Sequence, residues 1–131
     1  MSTFVRHIRL CKPPPTHNPD RAQPRQAKLQ LELRDVFTVG TTNVTIAENF
    51  ITECAPTIED GVVWLAGQRA QCSIEIENKD KITAKIVPCA HKGHAGNCQT
   101  VYRIVWEFSA AANEALCCKV WITFYDRDVK H

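Results

Sequence analysis

Three segments between Gln71 and Tyr125 alternate apolar and polar side chains with a period of two, and this constrains the fold more than any other feature of the chain. Cys72, Ile74 and Ile76 oppose Gln71, Ser73, Glu75 and Glu77. Tyr102, Ile104, Trp106 and Phe108 oppose Arg103 and Glu107, and Leu116, Cys118, Val120, Ile122 and Phe124 form a third row. Successive side chains of a strand point to opposite faces, so each segment offers one apolar face to a shared core. Turn chemistry separates them: Asn78-Lys79-Asp80-Lys81 follows the first, and a Ser109 to Glu114 link precedes the last. An antiparallel sheet follows.

Other stretches extend the pattern. Leu29, Leu31 and Leu33 alternate with Gln30, Glu32 and Arg34, and Val36 to Val39 continue the strand. Gly40-Thr41-Thr42-Asn43 then turns into Val44-Thr45-Ile46, which suggests a hairpin. Val62 to Ala66, between Gly61 and Gly67, is too short for a helix and reads as a buried strand. Ala47 to Cys54 is ambiguous, because Phe50, Ile51 and Cys54 have helical spacing. Ile82, Ala84 and Ile86 are expected to return against the strand ending at Glu77, setting Lys85 opposite Glu75 or Glu77, with Pro88 as the stop. The last segment favours strand through its β-branched and aromatic residues, although Leu116 and Val120, four apart, also fit a short C-terminal helix starting at Asn113. The expected fold is mainly β: one antiparallel domain of about six or seven strands, either a meander sheet or a sandwich of jelly-roll type.

The chain of 131 residues suffices for one domain with its own core. No apolar run approaches the roughly 20 residues of a membrane-spanning helix. Arg6, His7, Arg9 and Lys12 interrupt the first apolar residues, so no signal-peptide core is expected and the thiols are expected to stay reduced in cytosol. Seven cysteines would leave one unpaired in any complete intrachain disulfide framework.

The net charge of +2 conceals an asymmetry. Residues 1–30 hold Arg6, Arg9, Lys12, Arg21, Arg25 and Lys28 against Asp20 alone, a balance of +5, so the remainder carries −3. Pro13, Pro14, Pro15, Pro19 and Pro24 exclude helix and central strand up to about Gln26 and favour polyproline-like extension. Met1 to Leu10 offers one short strand before them. The sequence thus divides into a basic, proline-containing and disordered arm over 1–28 and a β-rich domain over 29–131. A basic arm on a slightly acidic body suits a polyanionic partner; the plainer reading is a solvated leader.

Chemistry-bearing clusters are few. Cys89, His91, His94 and Cys98 lie within ten residues among permissive glycines and could close a tetrahedral zinc site, though C-x-H-x2-H-x3-C matches none of the common zinc spacings. A hairpin loop with exposed histidines and a Cys89–Cys98 disulfide are the other readings. No nucleophile elbow, H-E-x-x-H, phosphate-binding glycine loop or dinucleotide fingerprint occurs. No catalytic residue, and so no enzyme, is expected. The polar face of the sheet, with Tyr102 or Trp121 as a stacking ring, has the mixture that binds nucleic acid on open sheets, as well as that of an ordinary wet face.

From Gly61 onward the order of features resembles the coat proteins of single-stranded RNA bacteriophages. The matching pieces are Gly61-Val62-Val63-Trp64, the pair Gln71 to Ile76 and Ile82 to Ile86, the Cys89–Cys98 loop, Tyr102 to Phe108, and Ala112-Asn113-Glu114. That resemblance implies a dimerising, shell-forming protein whose sheet binds an RNA hairpin, with Ser73, Glu75, Thr83, Lys85 and Arg103 on or near the RNA-facing surface. The basic arm is instead similar to those of small plant and satellite virus coats, which are jelly-roll sandwiches. Both imply a capsid protein of a virion made in host cytoplasm. Its partners would be copies of itself and RNA captured by Arg6, Arg9, Lys12, Arg21, Arg25 and Lys28, with no membrane, no small-molecule substrate and no required cofactor. The rival is a cytosolic zinc-binding interaction module or viral accessory protein built on the Cys89–Cys98 loop.

Overall fold

The computed structural model describes residues 2–12, 27–67, 70–92 and 98–126. Among these residues the chain forms nine strands and no helix: β1 (Thr3–Cys11), β2 (Ala27–Thr38), β3 (Val44–Thr52), β4 (Thr57–Glu59), β5 (Val62–Ala66), β6 (Ala70–Ile76), β7 (Ala84–Lys92), β8 (Cys98–Ala110) and β9 (Ala115–Asp126). They build two antiparallel sheets, one in the order β1-β2-β9-β6-β5-β4 and one in the order β3-β8-β7. The expected β class stands, with nine strands in place of six or seven.

Alternation explains the packing. Leu33 of β2, Val63 of β5, Ile74 and Ile76 of β6, and Cys118 and Val120 of β9 point inward from the larger sheet. Ile104 and Trp106 of β8 meet them from the smaller one, and Trp106 is fully buried with Phe50 edge-on at 5.8 Å. Each such fully buried large side chain contributes roughly 1.5–3 kcal/mol. The same rule settles two ambiguities. Ile46, Glu48 and Phe50 form one inward row of β3, so tertiary pairing with β8 overrides the helical spacing around Phe50. Leu116 and Val120 likewise lie in the inward row of β9, a twelve-residue strand, and no helix starts at Asn113.

Strand pairing departs from a meander. β2 pairs with β9, and β3 with β8, so the expected hairpin between Leu29–Val39 and Val44–Ile46 is a crossover between sheets. β6 and β7 are separated in the same way, with β6 on β9 and β7 on β8. Lys85 therefore faces Glu107 at 4.0 Å, while Glu75 pairs with Lys79 at 2.7 Å. β7 also runs through Pro88 to Lys92, which it can do as the edge strand of its sheet. The result is a wrapped two-sheet arrangement of the kind found in jelly rolls.

The two crossovers at one end run side by side. Val39 N–H donates to the Glu114 carbonyl and Asn113 N–H to the Gly40 carbonyl, both at 2.8 Å, over a small core of Val39, Ile46 and Ala110. At the edge of the larger sheet, β4 and β5 are joined by Asp60-Gly61, both with positive φ (52° and 77°), as a two-residue hairpin of the primed type requires. Gly61→Val should cost about 1–2 kcal/mol by forcing a β-branched residue into the left-handed region. The urea midpoint measures it, and an unchanged midpoint would contradict this account of the turn.

Candidate functional site

The residues nominated from sequence do not form one surface. Buried Ile74 and Ile76 alternate with Ser73 and Glu75, which places the latter two on the outward face of the larger sheet. Buried Ile104 and Trp106 alternate with Arg103, and Lys85 pairs across from Val105, so Arg103 and Lys85 lie on the outward face of the smaller sheet. Thr83 shares that side, in a shallow depression with Thr45, Lys85, Glu107 and Ser109. A single ligand on one sheet face cannot touch all five residues. The single-sheet expectation placed them together because it paired β6 with β7.

The basic segment is also reorganised. β1 pairs with β2 over nine rungs, from Thr3 opposite Thr38 to Cys11 opposite Gln30. The first part of the expected arm is thus an edge strand of the body, and the division near Lys28 passes through a continuous sheet. Arg9, 73% exposed, pairs with Glu32 at 3.1 Å; Lys28 pairs with Asp126 at 3.3 Å, and Lys12 is exposed. Arg21 and Arg25 lie outside the described residues.

Arg6 has turned inward. Its inward row comprises Phe4, Arg6, Ile8 and Leu10, and it stands opposite Asp35 in register. The guanidinium donates from Nε and Nη2 to the two Asp35 oxygens at 2.7 and 2.8 Å, and from Nη2 to Glu48 Oε2 at 3.2 Å. Asp35 and Glu48 come from opposite sheets and are 0% and 3% exposed. Burial pushes the Asp35 carboxyl up. Hydrogen bonds from Arg6 and Glu48, with the Arg6 charge, outweigh that effect and hold it below its ordinary value. For Glu48, burial first and then the hydrogen bond and charge of Asp35 push the carboxyl to about 8, against the pull of Arg6. At neutral pH the two acids therefore share one proton between them, on the Glu48 side.

Glu48 and Trp106 are register partners, and Glu48 Oε1 and Trp106 Nε1 are both buried without a hydrogen-bond partner among the described residues. The cluster clamps edge strand β1 to the second sheet. With Asp35 sealed from solvent, it is a structural device. Sequence reasoning assigned Arg6 to RNA and passed over both acids, although Asp35 interrupts the inward row Leu31, Leu33, Phe37.

The described ends of the Cys89–Cys98 segment lie on the paired strands β7 and β8. Cys89 stands opposite Val101 and Cys98 opposite Lys92, three rungs apart. At about 3.3 Å per residue their Cα atoms are roughly 10 Å apart along the strands, beyond the ~7 Å limit for a disulfide. Cys89 is accordingly a free thiol, which corrects the disulfide reading. His94 lies outside the described residues, so the zinc reading is left with Cys89, His91 and Cys98 distributed along a ladder. Among the described residues no group of three or more histidine, cysteine or acidic side chains is placed to hold a metal ion. Elsewhere burial pushes the Cys72 thiol to about 11. Burial, then the charges of Glu48 and Asp35, push Cys118 to about 12, so neither supplies a thiolate near neutral pH.

No protein-family model matches the sequence, and no curated protein matches it.

Proposed function

We propose that the chain is a self-assembling coat subunit of a small RNA virus, packing against copies of itself around RNA. The observation that carries this reading is the unfinished side of the sandwich. The three-stranded sheet covers the centre of the six-stranded one and leaves β1 overhanging. There Phe4, Ile8 and Leu10, on the inward face, are 51%, 66% and 65% exposed. A long edge strand without proline or bulge, bearing uncovered apolar residues, is a template for another chain. Wrapped sandwiches of this type serve in viral shells and also in lectins, so the fold alone carries no function; the open, apolar edge is what favours assembly. Arg9 and Lys28 near exposed strand ends pair with surface carboxylates, pairings that phosphates can replace, and Lys12 beyond the end of β1 is exposed.

Size-exclusion chromatography with light scattering, followed by electron microscopy at low salt, tests the reading. The expected result is large particles that contain nucleic acid; a clean monomer indifferent to RNA would overturn it. Ile8→Glu with Leu10→Glu should abolish the particles. Both residues are exposed in the monomer, so folding stability should move by no more than about 0.5 kcal/mol per substitution. Assembly that survives the double substitution would show that β1 is not the contact.

A further inference from the structure

The outward face of the larger sheet holds a second pattern. Register aligns His7, Arg34 and Lys119 as one rung across β1, β2 and β9. All three face outward, since Asp35, Cys118 and Val120 beside them in sequence are buried. Among the described residues neither Arg34 nor Lys119 is in an ion pair, and Glu77 flanks the rung on the β6 side. One outward position further along β9 stands Trp121, between Glu32 and Glu75. Those two acids are each neutralised by their own cation, Glu32 by Arg9 at 3.1 Å and Glu75 by Lys79 at 2.7 Å. Glu77, beside Lys119 on β6, offsets one of the two positive charges of the rung, so Arg34 and Lys119 leave one net positive charge beside the indole.

Along the same row come Thr123 and Tyr125. Thr123 is 6% exposed and accepts from Gln30 Nε2 at 3.0 Å, and Tyr125 lies 5.6 Å from Trp64 at 39°. The outward side of β9 therefore reads cation, ring, hydroxyl, ring, with positions about 6.6 Å apart. The two rings, two outward positions and so about 13 Å apart, offer flat surfaces to bases of one strand, and the adjacent cations offer contacts to the phosphates. A neutral glycan would use the rings but leave Arg34 and Lys119 without a role.

We propose that this face of β2 and β9 binds single-stranded RNA, with Trp121 and Tyr125 as stacking surfaces and Arg34 and Lys119 as phosphate contacts. The site deepens the RNA-binding half of the proposed function and rests on it. It also relocates that function to residues on one face, which Ser73, Glu75, Thr83, Lys85 and Arg103 are not.

The test is titration of the full chain with a fluorescein-labelled 20-nucleotide oligouridylate across a salt series, read by anisotropy and by tryptophan quenching. Arg34→Ala with Lys119→Ala should weaken binding tenfold or more and make the log–log salt slope shallower by about 1.4, the release expected for two single-strand phosphates. Trp121→Ala should weaken it about 5- to 150-fold, and Trp121→Phe should keep most of the affinity and guard against misfolding. Lys85→Ala with Arg103→Ala, on the opposite face, should change it less than twofold.

Equal losses from both faces, or binding that ignores Trp121, would overturn the site. Binding carried instead by Arg21 and Arg25 would overturn it as well. Particles that assemble yet ignore the oligonucleotide would remove the RNA site and spare the coat reading. A monomer that binds through Trp121 and Arg34 would remove the coat reading and spare the site.

Discussion

Replacing Arg6 by alanine should lower folding stability by about 3 kcal/mol, read from urea unfolding at pH 7. The magnitude follows from what is left behind. Asp35 is completely buried and ionised, and the two short hydrogen bonds from Arg6 supply its countercharge. Breaking a buried pair by removing one partner costs about 3–5 kcal/mol, because the remaining charge has neither water nor a partner. Arg6 itself is 38% exposed, so solvent can reach the vacated position, and the low end of that range applies. A second substitution separates this cause from loss of packing. Arg6→Met with Asp35→Leu removes both charges and should recover much of the loss, since apolar residues of similar volume commonly replace buried ion pairs without penalty. Were Arg6 instead an RNA contact, Arg6→Ala would lower RNA affinity and leave the urea midpoint in place. That outcome would sink the structural assignment.

Period-two alternation made the individual strands legible. Alternation assigns Ile74 and Ile76, Ile104 and Trp106, and Cys118 and Val120 to inward rows, and each is buried. Pairing was not legible. Turn residues at Gly40-Thr41-Thr42-Asn43 and Asn78-Lys79-Asp80-Lys81 serve a hairpin and a crossover between sheets equally well. Only contacts distant in sequence distinguish them, such as Val39 to Glu114 at one end and Glu77 to Lys119 at the other. The misplaced hairpin of β6 and β7 carried a site error with it. Uniting β6 and β7 in one sheet put Glu75 and Lys85 on one surface, although they lie on opposite sides of the sandwich.

The buried acids were hidden for a related reason. Asp35 sits at an inward position of an otherwise clear strand, which was a usable signal. Glu48 lay in the segment whose apolar residues also fit a helix, so its inward position emerged only from the pairing with Trp106. Charge counting groups Arg6 with the other cations of the first thirty residues, because it ignores the face a side chain occupies.

Glu48 makes stability depend on pH in a direction opposite to that of most acidic residues. Its carboxyl is held near 8 in the folded chain, against an ordinary value of 4.5 that applies once the chain unfolds. Between these values the folded state retains a proton that the unfolded state has released, so stability falls as pH rises. The loss begins near pH 4.5 and is complete above about 8, where two buried carboxylates face a single Arg6. Asp35 acts oppositely. Its lowered value means that its contribution is present above its ordinary 3.8 and is lost only as pH falls through the folded value below that. Glu48→Gln preserves the shape of the side chain and removes the titration. Stability of the wild-type chain minus that of Glu48→Gln, from urea midpoints at pH 5 through 9, should therefore fall by a few kcal/mol in total, about 1.4 for each unit of separation expressed. The subtraction cancels the titration of every other group, including Asp35 in its common state. A difference that stays flat or rises with pH would mean that Glu48 is ionised in the fold, with Arg6 held between two charged carboxylates. The shared proton explains better why one guanidinium suffices to keep the edge strand docked.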